Sequence, residues 1–156
     1  MKAAGSDFES QTRMTKIMDG FVLDCSVTMA WCFEDESTPY TDHVQNLLSH
    51  TRAVVPSIWP LEVANVLLVS ERKKRLDEAR STRFFHLLSV MPIDVDGLTG
   101  RQAFGAIAHL ARAHTLSSYD AAYLELAIRY GIQIATLDEK LRTAAISAGV
   151  ELIEHK

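Results

Sequence analysis

The sequence predicts an α/β fold in which a small, mostly parallel, twisted sheet is flanked by helices. Two observations predict this class. Short apolar runs alternate along the chain with segments of helical periodicity, and the helical segments are much the longer of the two. Strands joined by helices pair in parallel, because a helix crossover returns the chain to the same end of the sheet. The 156 residues fit one domain, with 47% hydrophobic and 23% charged residues.

The first half of the chain contains two predicted strands. Phe21–Leu23 is a short apolar run, and Ala53–Val55 is a second one that Pro56 closes; such runs are typical of strands buried on both faces. Helices are predicted from the capping residues, prolines and apolar spacing that mark helix starts, with Thr38 and Pro39 as the clearest signal. Their predicted ranges are 26–32, 39–50, 59–74 and 77–90.

The second half continues the alternation. Ile93–Val95 is a weaker strand, followed by a turn that Gly97 and Gly100 mark. Ser117 starts a helix that Gly131 ends, since a glycine at this position accepts a left-handed backbone. The other predicted elements are a helix at 101–114, a strand at 132–135, a helix from 138 that stops at 149, and a last strand at 150–153.

Residues 1–19 are predicted to be a flexible leader or an added extension, with the folded domain at 20–156. The leader is polar, without the apolar centre of a signal peptide. No apolar run approaches the roughly 18 residues that a membrane helix needs. These features predict a cytoplasmic protein that does not enter a membrane. The net charge of −4 is not typical of a protein that coats nucleic acid, although an acidic nuclease site lowers the net charge by itself.

Four carboxylates that are far apart in sequence are predicted to meet at one edge of the sheet. Asp24 ends the first strand, and Asp138 follows the fourth. Glu62 lies near the start of the helix after the second strand, and Asp120 near the start of the helix that returns to the fourth. Ligands bind outside the carboxyl ends of parallel strands. Crowded like charges are costly unless a cation neutralises them.

An all-oxygen cluster without His or Cys suits Mg²⁺ or Mn²⁺. Such an ion activates water and neutralises charge on phosphate, so the predicted chemistry is hydrolysis of a phosphate ester. Four nearby polar side chains are predicted to support the acids. They lie two residues from an acid, or one helical turn away in the case of the asparagine: Ser26, Asn65, Ser118 and Thr136.

Each acid also has a structural explanation. Asp24 and Asp138 stand where helix N-caps are expected. Ser117 and Asp120 fit a capping box, in which the carboxylate reaches back to the Ser117 N–H. Glu62 fits a solvated residue that is favourable near a helix start. Caps alone do not explain why four like charges converge on one edge of the sheet.

Four stretches of this sequence resemble PIN domains, in the order in which that family carries its acids. The third is the most specific. The stretches are FVLDCSV at 21–27, PLEVAN at 60–65, SYDAAYLELA at 118–127 and ATLDEKL at 135–141. The resemblance covers about residues 21 to 154, and the leader has no counterpart in it.

The resemblance implies a three-layer α/β/α fold and a Mg²⁺- or Mn²⁺-dependent endoribonuclease that cleaves RNA. Compact members of this type are mostly VapC-like toxins, which are dimeric and are inhibited by a small antitoxin. The resemblance therefore implies a homodimer with an antitoxin as partner. It makes Asp24, Asp120 and Asp138 metal ligands, and makes these three together with Glu62 the catalytic carboxylates.

Three other functions remain open. A phosphatase with an aspartate nucleophile on its first strand requires a second aspartate two residues later, where this chain has Ser26. A housekeeping or structure-specific nuclease of the same fold shares the acids, but this short chain lacks room for elements that hold a duplex. A catalytically silent binding module, the third possibility, has no need for all four acids.

Overall fold

The computed structural model describes residues 19–155 and confirms the predicted fold class. A parallel sheet of four strands has the order β3-β2-β1-β4 and is flanked by helices in an α/β/α arrangement. Its strands are β1 (Phe21–Leu23), β2 (Ala53–Val55), β3 (Ile93–Val95) and β4 (Gln133–Ala135). The predicted leader lies outside the described residues, apart from Asp19.

The first strand occupies the centre of the sheet. Phe21 is in register with Ala53 of β2 on one side and with Gln133 of β4 on the other. Every residue of β1 and β2 is buried, whereas β3 is the partly exposed edge strand. The predicted last strand at 150–153 is reduced to a single parallel bridge between Ile134 and Leu152, because the chain follows β4 for only two backbone hydrogen bonds.

Most predicted helices are present with boundaries close to those expected. They are α1 (Cys25–Cys32), α2 (Pro39–Leu47), α3 (Trp59–Arg72), α4 (Glu78–Val90), α5 (Thr99–Gln102), α6 (Ala108–His114), α7 (Ser118–Tyr130) and α8 (Glu139–Ser147). A π-helical segment, Ala103–Ile107, joins α5 to α6 within the stretch predicted as one helix. The predicted extension of α3 to residue 74 is wrong, since Lys74 has a left-handed backbone with φ of 58° and turns the chain.

The predicted caps explain where several helices begin and end. The Thr38 hydroxyl accepts a hydrogen bond from the Thr41 N–H in a complete capping box, and Asp77 accepts one from the Arg80 N–H. At the other end of α7, Gly131 has a φ of 64°, which L side chains rarely adopt. This residue turns the chain directly into β4.

Helix α7 is the element that places the candidate site. It packs against β1 and β4, and the residues from Ala121 to Ala127 are all buried. Its C-terminus leads into the start of β4, so its N-terminus, with Asp120, lies toward the carboxyl ends of the strands. Within residues 19–155, no helix is long and apolar enough to cross a membrane.

Candidate active site

Asp24 follows β1 and is almost completely buried, with 5% of its surface exposed. Its Oδ2 accepts hydrogen bonds from the Ser26 hydroxyl at 2.6 Å and from the Thr136 hydroxyl at 2.7 Å. Among the described residues, no backbone N–H of α1 donates to this carboxylate. The Asp24 side chain therefore does not cap α1. It accepts hydrogen bonds from two hydroxyl groups instead.

The same two hydroxyls tie β1 to the connection between β4 and α8. The Ser26 oxygen accepts from the Leu137 N–H at 3.0 Å, and the Thr136 oxygen accepts from the Asp138 N–H at 3.0 Å. Each hydroxyl thus donates to Asp24 and accepts from the backbone beside Asp138. This network fixes the first and the last of the four acids relative to each other.

Asp138 is the N-cap residue of α8, as the structural explanation of this acid predicts. Its Oδ1 accepts a hydrogen bond from the Leu141 N–H at 2.9 Å and so stabilises the start of α8. The cap uses only one carboxylate oxygen. Within the described part of the chain, Oδ2 has no hydrogen-bond donor, so capping leaves it available to a ligand.

Glu62 is held by a residue that the sequence did not single out. The Tyr123 hydroxyl donates to Glu62 Oε1 at 2.6 Å, and the Tyr123 side chain is fully buried. Tyr123 lies three residues after Asp120 on α7, hence on the same face of the helix. The sequence feature that points to Tyr123 is its position three residues after a candidate acid on the same helix. Glu62 is therefore a tethered residue of α3, and the explanation as a freely solvated acid is wrong.

Asp120 lies in the first turn of α7. Its N–H donates to the Ser117 hydroxyl at 3.1 Å, which caps the helix. The reciprocal bond from the Ser117 N–H to the Asp120 carboxylate is not found among the described residues. The predicted capping box is therefore only half formed, and it does not occupy the Asp120 carboxylate.

The acids act on one another electrostatically. Burial raises the pKa of Asp24, and the charges of Asp120 and Asp138 raise it further against the opposing hydroxyl donors. Burial likewise raises the pKa of Glu62, to which the charges of Asp24 and Asp120 add. The pKa of Asp120 is raised by burial and then by the charge of Asp138. The structure thus brings the four predicted acids into one electrostatic cluster.

The donor set of this cluster suits a hard cation. Asp24, Glu62 and Asp138 each have one oxygen held by a protein donor and another without a donor among the described residues. Within residues 19–155, no three acidic, histidine or cysteine side chains stand close enough together to hold an ion by themselves. Mg²⁺ takes one or two carboxylates and fills its other positions with water and phosphate. The residues present fit that mode of binding.

The four predicted supporting residues divide into two pairs. Ser26 and Thr136 contact Asp24 directly. Asn65 and Ser118 are exposed, and their side chains have no hydrogen-bond partner in the described part of the chain. The structure therefore joins the first pair to the acids and shows no hydrogen bond between the second pair and the acids among the described residues.

A second polar cluster stabilises α7 from its other end. Arg129 contacts Asp96 at 2.7 Å and Glu125 at 2.7 Å, and both carboxylates are buried. Tyr130 also donates to Asp96. Burial acts to raise the pKa of Asp96, but its hydrogen bonds and the charge of Arg129 outweigh that effect and lower it. This cluster was not predicted from the sequence, and its contact between Arg129 and Asp96 anchors α7 to the loop after β3.

Comparison with known proteins gives a family and a fold. A family model described as "PIN domain" matches residues 21–147. The crystal structure of PAE2754 from Pyrobaculum aerophilum superposes with a TM-score of 0.62 at 20% identity, covering 83% of this chain and 87% of that one. The structure of VapBC2 from Rickettsia felis, bound to a DNA fragment from its promoter, gives 0.61 at 12% identity, covering 86% and 97%. No curated protein matches the sequence.

Proposed function

The chain belongs to the PIN domain family, and from this we propose that it is a Mg²⁺- or Mn²⁺-dependent endoribonuclease that acts as the toxin of a toxin–antitoxin pair. One observation carries the catalytic part of the proposal. Carboxylates from four distant segments interact at the carboxyl edge of a parallel sheet, although burial and the charges of neighbouring acids raise the pKa of Asp24, Glu62 and Asp120. The clustering of carboxylates that repel one another is explained if a cation binds among them and in turn holds a phosphate group.

We assign the roles by the contacts of each acid. Asp24, Asp120 and Asp138 are the proposed metal-binding residues, one or two of them in direct contact with the ion and the rest through bound water, by carboxylate oxygens without a donor among the described residues. A bound Mg²⁺ supplies neutralisation of phosphate charge and a lowered pKa for water. Glu62 orients the attacking water with the oxygen that Tyr123 leaves free. Ser26 and Thr136, named above as donors to Asp24, keep that carboxylate in one orientation.

A small antitoxin and a second copy of the chain are the proposed partners. VapBC2, which shares the fold, was solved with promoter DNA. Large apolar side chains are exposed on this chain, among them Phe104 at 100%, Val90 at 67% and Ile146 at 66%. Exposed apolar surface of this kind favours burial against other proteins. The proposed place of action is the cytoplasm.

The direct test is cleavage of short RNAs by the purified protein. Cleavage should require Mg²⁺ or Mn²⁺, stop in EDTA, and return when the ion is restored in excess. Asp120→Asn serves as the matched inactive protein and should show no cleavage under any condition. Activity that survives exhaustive EDTA treatment would contradict the metal-dependent mechanism, as would activity of the Asp120→Asn protein equal to that of the parent.

The partner proposal has a separate test. The protein should elute as a dimer at micromolar concentration and should co-purify with a small protein when expressed from its native operon. A strictly monomeric protein would exclude the dimer. Recovery of no complex with a small protein from that expression would exclude the antitoxin.

A further inference from the structure

A buried hydrogen bond joins the two helices that follow β1 and β2. The indole N–H of Trp59, the first residue of α3, donates to the hydroxyl of Thr28 on α1 at 3.1 Å. Thr28 is fully buried, and only 6% of Trp59 is exposed. Within the described part of the chain, no second hydrogen bond joins these two helices. This contact lies outside the set of donors that hold the acids.

The bond lies one helical turn from an acid on each helix. Thr28 comes four residues after Asp24, and its hydroxyl donates to the Asp24 carbonyl at 3.4 Å while it accepts from Trp59. Trp59 comes three residues before Glu62, and residues at this spacing share one face of a helix. Burial raises the pKa of Glu62 and the charge of Asp24 adds to it, so these carboxylates are within electrostatic reach of each other. The bond thus connects the turns that carry Asp24 and Glu62.

A hydrogen bond fixes the two helices more strictly than apolar packing does. Apolar cores accept small rearrangements, whereas a hydrogen bond requires a particular length and direction. Any movement of α3 along α1 that breaks the bond leaves the Trp59 N–H buried without an acceptor, which costs free energy. Satisfied polar groups in a core make its structure rigid and unique. The bond therefore resists displacement of the turn that carries Glu62.

We propose that Trp59 and Thr28 are positioning residues, which fix Glu62 relative to Asp24. Their effect on cleavage rests on the proposed nuclease function. Glu62 is then held in two ways: the Tyr123 hydroxyl orients its carboxylate, and the bond between Trp59 and Thr28 places the backbone of its helical turn. Both residues are buried and act through Glu62, so neither is a catalytic residue. A displacement of about 1 Å in an active site can reduce the rate by about 100-fold.

The first experiment removes the acceptor. Thr28→Val nearly keeps the shape of the side chain and leaves the Trp59 N–H without its partner. Single-turnover cleavage at saturating RNA should fall by about 10- to 100-fold, with unchanged RNA affinity because neither residue touches the substrate. Thr28→Ser keeps the hydroxyl and should cleave at the parental rate. A Thr28→Val protein that folds and cleaves as fast as the parent would overturn the inference.

The second experiment separates the placement of Glu62 from overall stability. Trp59→Phe removes the donor and should slow cleavage as Thr28→Val does. Added to Thr28→Val, it should cause no further loss of rate, because the bond is already absent, although the cavity left by the smaller ring still lowers the melting temperature. A rate that instead falls in step with the melting temperature through all three variants would mean that the bond serves stability alone, and would contradict the proposal.

Trp31 provides a matched control on the same helix. Its indole N–H donates to the Thr41 carbonyl at 2.9 Å and joins α1 to α2, which carries none of the acids. Trp31→Phe removes the same chemical group and should lower the melting temperature without slowing cleavage, in assays well below that temperature. If Thr28→Val does not fold, the comparison of Trp59→Phe with Trp31→Phe decides by itself. Equal cleavage rates of these two variants would overturn the inference.

A structural measurement tests the inference without any cleavage. The Tyr123 hydroxyl lies 2.6 Å from Glu62 Oε1 in the parent. In metal-free crystals of Trp59→Phe, the first turn of α3 should be displaced relative to α1, and this distance should exceed about 3.5 Å, beyond hydrogen-bonding range. Crystals of Trp31→Phe should keep the parental distance. If Glu62 keeps its place in Trp59→Phe, the inference is wrong even where cleavage is slower.

Failure of the inference and failure of the proposed function are distinguishable. A parent protein that cleaves no RNA contradicts the proposed function, whereas the position of Glu62 in the variant crystals still decides the role of Trp59. A parent that cleaves RNA, together with a Trp59→Phe protein that cleaves equally fast, contradicts the inference alone.

Discussion

Three hydroxyl groups hold the acids of the candidate site. Ser26 and Thr136 donate to Asp24, and Tyr123 donates to Glu62, each at 2.6 to 2.7 Å. Hydrogen bonds to ionised groups are short and strong. These donors offset part of the cost of burying Asp24 and Glu62, and within residues 19–155 each of these two acids keeps one carboxylate oxygen without a donor. The hydrogen bonds thus orient Asp24 and Glu62 without neutralising their charges.

Removing the charge of Asp24 should stabilise the metal-free protein. The folded pKa of Asp24 is raised above the ordinary value of 3.8, so the folded protein is most stable when this carboxyl is protonated. The stability that protonation gives is fully present below pH 3.8 and is lost as pH rises through the folded pKa. Asp24→Asn avoids this loss. The variant should match the parent near pH 4 and exceed it at pH 7 by about 1 kcal/mol, the scale of one pKa unit. Urea unfolding in EDTA across this pH range measures the difference, and the same variant should have lost cleavage.

The matched control has the opposite sign. Asp94 is exposed and pairs with Arg52, whose hydrogen bond lowers the pKa of Asp94. Asp94→Asn should therefore be less stable than the parent above pH 3.8, where the ion pair contributes in full, by less than about 1 kcal/mol because solvent screens the pair. The difference should vanish as pH falls through the lowered folded pKa of Asp94. If Asp24→Asn unfolds more easily than the parent at pH 7 without metal, Asp24 is a structural acceptor and the repulsion argument is wrong.

Tyr123→Phe should impair activity more than stability. The substitution removes only the hydroxyl that fixes Glu62 and leaves the buried ring in place. Loss of a hydrogen bond that supports a metal site reduces activity by about 10- to 100-fold, whereas the affinity for Mn²⁺ should change little, because Glu62 is not among the proposed ligands. Single-turnover cleavage and Mn²⁺ titration give the two values. Tyr130→Phe, which removes a hydroxyl from Asp96 instead, should leave both unchanged; equal effects of the two variants would refute a specific role for Tyr123.

Helix α7 shows which features of an element the sequence predicts. Ser117 and Gly131 mark its start and end, because a hydroxyl cap and a left-handed glycine are local devices. The contacts of Tyr123 with Glu62 on α3 and of Arg129 with Asp96 after β3 were not predicted, since the partners are distant in sequence. The second partner of Arg129, Glu125, is four residues earlier on α7, a local spacing that the sequence does display. The π-helical segment Ala103–Ile107 was not predicted either, because the spacing of its apolar residues also fits an α-helix.

The anchor at the end of α7 should dominate the stability of that helix. Arg129→Met leaves the buried carboxylates of Asp96 and Glu125 without their cation. Removing one member of a buried ion pair costs about 3 to 5 kcal/mol, so chemical unfolding should show a loss in that range. Asp96→Asn added to Arg129→Met should recover part of it. Arg52→Met breaks the exposed pair with Asp94 and should cost at most about 1 kcal/mol.

For the molecule as a whole, the sequence predicted the fold class and the meeting of the acids, but not the order of the strands. Parallel strands end at one edge, so residues after β1 and β4 lie on the same edge whatever the strand order, but their direct contact requires that β1 and β4 are neighbours. The central position of β1 depends on its pairing with both Ala53 and Gln133, which no pattern within a single strand encodes. The contact of Arg129 with Asp96 depends on that same tertiary arrangement.

Deleting residues 1–18 should leave fold and cleavage intact. This stretch is polar and lacks helical or strand periodicity. Asp19 is kept because its carbonyl accepts a hydrogen bond from the Thr51 hydroxyl. Calorimetry should give a melting temperature within a few degrees of the parent, and the RNA assay should give the same rate. A larger drop would mean that the leader contributes to the folded domain.

The pairing of β1 with β4 also sets when the protein can acquire activity during its synthesis. The hydroxyl of Thr136 reaches Asp24 across 112 positions of sequence, and Asp138 comes later still. A nascent chain on the ribosome therefore contains Asp24 and Glu62 long before Thr136 and Tyr123, which donate to them, have been synthesised. Strand β1 likewise lacks one of its two neighbours until β4 has been made. Domains fold as units once they have emerged. Translation that stops before β4 consequently releases a fragment that cannot assemble the acid cluster.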